Sequence, residues 1–78
     1  MPENLEKLFG SILKELRSEK GISQESLAYD SELDRTFISL MERGERQPTI
    51  STLFKLAKSL GIKPSDIIKN LEEQYENS

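Results

Sequence analysis

The stretch LDRTFISLMERGERQPT, residues 33–49, decides how the rest of the chain is read. Asp34 offers a side-chain oxygen where a helix would begin, and RTFISLMER can run as helix until Gly44 ends it in a left-handed conformation. At 3.6 residues per turn, Ile38 and Met41 share one side with Phe37 on its flank, which predicts a core face. Arg35, Thr36, Ser39 and Arg43 fall on an arc of the opposite side, and Leu40 lies just beyond Thr36. Small Ser39 lets another surface approach while the arginines reach past it. That shape suits a helix whose first residues enter a DNA major groove. On this helix alone, ordinary solvated charge explains Arg35 and Arg43 equally well.

Outward from this stretch the pattern stays helical. Upstream, Leu5, Leu8, Phe9, Ile12, Leu13 and Leu16 recur at three- and four-residue steps, predicting a first amphipathic helix that ends at Gly21. Ser23 can cap a short second helix over QESLAYDS, with Leu27 and Ala28 inward, stopping near residues 31–32. Downstream, Thr49 can cap a fourth helix, ISTLFKLAKSL, whose apolar residues Ile50, Leu53, Phe54, Leu56, Ala57 and Leu60 cover more than one face; Gly61 closes it. Pro64 suits the first turn of a fifth helix, Asp66 complements its dipole, and IIKNLEEQY follows before ENS frays. No β-type alternation occurs, so the expected fold is all-α and compact, with five helices. Residues 1–78 read as one domain, with a core over about 5–70 and a C-terminal helix and tail over 64–78.

With 78 residues, 35% of them apolar, the chain can bury one small core. It has no cysteine and no histidine, which removes thiolate metal sites, disulfides and imidazole catalysis. No metal, cofactor or small-molecule ligand is expected. No charged segment precedes an uninterrupted apolar run and no long apolar stretch occurs, so the expectation is a soluble, unprocessed, cytoplasmic protein without a membrane partner. The net charge of −3 argues against a general polyanion binder. Distribution outweighs that total: Arg35, Arg43 and Arg46 cluster, while Asp66, Glu72, Glu73 and Glu76 gather toward the C-terminus.

A short helix, a tight turn and a second short helix, with small Ala28 where the two must cross, form a helix-turn-helix arrangement. The runs ISQESLA and LDRTFISLMERGERQPTISTLFKLAKSLGI resemble the lambda-repressor-like, Cro or xenobiotic-response-element type of helix-turn-helix protein, over roughly residues 12–68. Within that family, AYDSELDRTFIS most resembles the small controller proteins of restriction–modification systems. The resemblance implies a transcriptional regulator that binds double-stranded operator DNA as a homodimer, with the third helix reading bases. It carries Arg35, Thr36, Ser39 and Leu40 over as base-edge contacts. One position departs from the family: the turn often held by glycine or asparagine has Glu32.

Arg35 can bond bidentately to guanine, a contact worth about 1–3 kcal/mol of discrimination. Thr36 can use its hydroxyl on a base or phosphate, or its methyl on a thymine. Phe37 either touches a thymine methyl or packs partly into the core. Leu40 either meets thymine methyls or fills a gap between subunits. Ser23 and Gln24 open the second helix, where free N–H groups suit a phosphate, although capping alone explains Ser23. Gln24 matches the family residue that fixes the DNA backbone. Arg43, Arg46 and Gln47 are expected to grip phosphates, with Arg46 able to enter a groove; solvated loop charge is the alternative. For Arg17 and Glu42 the resemblance implies a buried structural salt bridge.

Leu60, Ile62, Ile67, Ile68, Leu71 and Tyr75 offer apolar surface beyond what so small a core needs. They are expected to pair about a two-fold axis, setting reading helices about 34–36 Å apart on a pseudo-palindromic operator. Folding back on the chain's own core is the other reading. A bound dimer would act by occupancy, excluding RNA polymerase or presenting a surface to it. The competing function is an antitoxin-like or bridging protein-interaction module on the same fold. An enzyme is not expected: adjacent Glu72 and Glu73 diverge by about 100° on a helix, and no phosphate-binding glycine loop or nucleophile–base set occurs.

Overall fold

The computed structural model describes residues 4–77. Among them five helices follow in order: α1 Leu5–Lys20, α2 Gln24–Ser31, α3 Arg35–Glu42, α4 Ile50–Leu60 and α5 Pro64–Glu76, with no strand. Residues 1–3 of the expected domain and Ser78 of the expected frayed tail lie outside the described residues.

Each helix start has a local cause. Asn4 Oδ1 accepts from Lys7 N–H at 2.9 Å, Ser23 Oγ from Ser26 N–H at 3.0 Å, Asp34 Oδ1 from Thr36 N–H at 2.9 Å and Thr49 Oγ1 from Thr52 N–H at 3.1 Å. Each satisfies an amide that has no partner within its helix. In α5, Pro64 takes the first turn and Asp66 Oδ2 accepts from Lys63 N–H at 3.3 Å. The third helix is one residue shorter than RTFISLMER: Arg43 is its C-cap. Gly44 N–H bonds the Met41 carbonyl and Glu45 N–H the Leu40 carbonyl, tightening the end before Arg43 can continue it.

Ile12 and Leu13 of α1, Leu27 of α2, Ile38 and Met41 of α3, Leu56 of α4 and Ile67 of α5 are fully buried and meet in one core. At about 1.5–3 kcal/mol per buried side chain, these dominate the favourable side of folding. α1 crosses the end of α3 at Gly10. A Cβ there would stand 2.7 Å from the Glu42 carbonyl oxygen and closer still to that of Met41, so only glycine fits. This crossing seats α3 against the body of the domain.

Candidate nucleic-acid interface

The α2–α3 turn is Glu32–Leu33–Asp34. Glu32 is the sole non-glycine with positive φ among the described residues, at φ 60° and ψ 37°. Its N–H reaches the Tyr29 carbonyl and Leu33 N–H reaches that of Ala28, so the turn closes as a glycine-type cap despite the side chain. The left-handed backbone costs a non-glycine residue about 1 kcal/mol.

The turn delivers α3 with Arg35 and Thr36 exposed in its first turn, and Ser39 and Leu40 partly exposed behind them. Ile38 and Met41 anchor the opposite side in the core. Arg35 has no ion pair among the described residues, so its guanidinium is available. Phe37 is partly buried and packs against the core, the second of the two readings open to it.

A side-chain network joins α1, α2 and α3. Arg17 of α1 donates from Nε to Glu42 Oε2 at 2.7 Å, from Nη2 to Glu42 Oε1 at 3.0 Å, and from Nη1 to the Ile22 carbonyl at 2.9 Å. The Glu42 side chain is 3% exposed. Its hydrogen bond raises the Arg17 pKa, against the lowering effect of burial and with the Coulomb attraction of Glu42 adding to it. Gln24 Nε2 donates to the same Glu42 Oε1 at 2.9 Å. An ionised carboxylate only accepts, so the amide nitrogen must face it, and Gln24 keeps its carbonyl oxygen and one N–H for other partners. Sequence reasoning missed this bond because no local pattern joins residues 18 positions apart.

Ser23 spends its oxygen on the α2 cap and retains its hydroxyl proton. Arg43 Nε lies 3.2 Å from Glu45 Oε2 in a pair more than half exposed on both sides, worth little and easily exchanged for a phosphate. Arg46 and Gln47 are exposed, and Arg46 has no ion pair among the described residues. Ser23, Arg35, Thr36, Arg43, Arg46 and Gln47 are exposed and Gln24 partly so, with Gln47 also at the rim of an apolar cleft.

The expected dimer residues divide. Leu60 and Ile67 belong to the core, because the protomer's own helices bury them, and so have no surface to offer a partner. Ile62 and Leu71 are partly buried against that core, while Ile68 and Tyr75 are exposed. Sequence reasoning left out Ile50 and Phe54, 74% and 58% exposed on α4, and Leu5 at the start of α1. Their signal was present in α4, whose apolar residues cover more sides than one core contact can use. Leu5, Phe9, Ile50, Leu53, Ile68 and Leu71 line a cleft of about 180 Å³. Among the described residues no helix is long and apolar enough to cross a membrane.

Residues 13–67 match the family described as Helix-turn-helix. The control protein C.BamHI of Bacillus amyloliquefaciens is 39% identical over 69 residues, covering 87% of this chain and 85% of its own. The restriction–modification controller protein C.AhdI of Aeromonas hydrophila superposes with a TM-score of 0.77 at 44% identity, over 80% of this chain and 94% of that one. The controller protein C.Esp1396I, solved as a tetramer with its natural 35 base-pair operator, gives a TM-score of 0.83 at 37% identity, over 94% and 96% of the two chains.

Proposed function

The chain belongs to the helix-turn-helix family, and from that premise we propose that it acts as a controller-type homodimer whose two α3 helices read a pseudo-palindromic operator. It is a DNA-binding transcriptional regulator of the Cro/XRE type, not an enzyme. The observation that carries the reading is the exposed Arg35 guanidinium, without an ion pair among the described residues, beside exposed Thr36 at the start of a helix whose other side is locked into the core. Arg35 and Thr36 reach base edges in the major groove, with Ser39 allowing close approach and Leu40 offering methyl contacts. Ser23, Gln24, Arg43, Arg46 and Gln47 hold phosphates on either side. Similarity to a controller protein solved on its operator supports this orientation.

One short reading helix spans too few base pairs to select a site in a genome, so two copies act together. Ile50, Phe54 and Ile68 provide the exposed apolar ridge for pairing, beside the cleft that Leu5 and Leu71 help to line. The dimer works in the cytoplasm by occupying a promoter, where it either excludes RNA polymerase or presents a surface to it. Selection of bound DNA from a random pool tests the reading. The expected product is a two-fold symmetric site, with Arg35→Ala relaxing one position by about 1–3 kcal/mol. A pool with no enriched site, or a preference unchanged in the variant, overturns it.

A further inference from the structure

We propose that Lys7, in the first turn of α1, is an additional DNA-phosphate contact that extends the cationic edge of Arg43 and Arg46 beyond the helix-turn-helix unit. The inference rests on the DNA-binding orientation above and adds a residue from a helix outside that unit.

Gly44 places Lys7. It lies between Arg43 and the loop residues Glu45 and Arg46, at φ 76°. A Cβ on Gly44 would fall 2.8 Å from Lys7 Cγ and 3.0 Å from Lys7 Cα. The first turn of α1 therefore rests directly on the loop that carries the arginines. One turn later, Gly10 meets the Met41 and Glu42 carbonyls, so two successive contacts hold α1 along the end of α3.

The Lys7 ammonium has no internal commitment. Its backbone N–H is satisfied by Asn4, while the side chain is exposed and makes no ion pair or hydrogen bond among the described residues. Among the described residues, Glu45 pairs with Arg43, and buried Glu42 with Arg17 and Gln24. Glu6 lines the apolar cleft with Gln47 and Pro48. Among the described residues, Lys7, Arg43 and Arg46 thus outnumber Glu6 and Glu45, the carboxylates beside them in sequence that the buried Arg17 pair does not include. A lysine supplies a mobile point charge, suited to a phosphate rather than to a planar base edge. The positive end of the α1 dipole acts in the same direction.

The test compares wild type, Lys7→Gln, Lys7→Arg and Arg46→Gln by operator affinity across a salt series, with folding checked by helical circular dichroism. Losing one phosphate contact should flatten the slope of log K against log salt by about 0.9. Lys7→Gln should show that change with the ranking of operator variants unaltered, and Lys7→Arg should restore the wild-type slope. A folded Lys7→Gln protein with the wild-type slope overturns the proposal, as does a loss confined to one operator sequence. If Arg46→Gln flattens the slope and Lys7→Gln does not, the Lys7 role fails while the regulator reading stands. If wild type shows no sequence-selective binding, the regulator reading itself fails.

Discussion

Glu32 holds a backbone conformation that a glycine would adopt without steric cost. Glu32→Gly should therefore raise unfolding free energy by about 1 kcal/mol, read from the urea midpoint at constant m. Equal or lower stability would mean that the added freedom of the unfolded chain outweighs the relieved strain. Arg17 lies at the opposite extreme, since it is bound by an almost fully buried carboxylate. Arg17→Ala leaves Glu42 charged and short of donors, at an expected cost of about 3–5 kcal/mol. Replacing both partners with apolar residues should recover much of that loss, which a double-mutant cycle would measure. Because the Arg17 pKa is raised, its contribution is complete below the ordinary arginine range and is lost only as strongly alkaline pH passes the raised value. Of these residue-scale features, the unusual occupant of the turn is legible at Glu32. The bond from Gln24 to Glu42 is not, because it depends on how separate helices meet.

At the scale of the element, helix positions were legible because their causes are local. Ser23, Asp34 and Thr49 each precede an apolar run and each caps its helix in the structure. Gly44 ends α3 in the left-handed conformation expected of it, with Arg43 as the C-cap in place of a last helical residue. Gly10, by contrast, was illegible. A glycine inside an amphipathic stripe gives no sign of the carbonyls that will face it. Gly10→Ala should cost about 1–3 kcal/mol through overpacking, visible as a lower Tm, although alanine is the better helix former. A Tm at or above wild type would mean that the crossing can relax. Asp34→Ala removes the α3 cap and should cost about 1 kcal/mol by chemical denaturation.

For the whole molecule, the division between core and partner surface was the least readable property. Leu60 and Ile67 look the same in sequence as Ile50 and Phe54, yet the first two are buried by their own chain and the second two are exposed. Apolar composition gives the amount of such surface, and only the packing of five helices allots it. Phe54→Asp should leave a folded protein that sediments as a monomer at micromolar concentration and binds its operator more weakly. A dimer unaffected by this change would move the subunit contact away from α4. The seating of Gly10 on the last carbonyls of α3 has a mechanical corollary for any complex with DNA. A joint without slack would keep a DNA-bound dimer from tilting α3 toward an ill-spaced half-site, so compliance would have to come from the duplex. Stiff or badly phased central base pairs would then weaken binding even where no side chain reaches them.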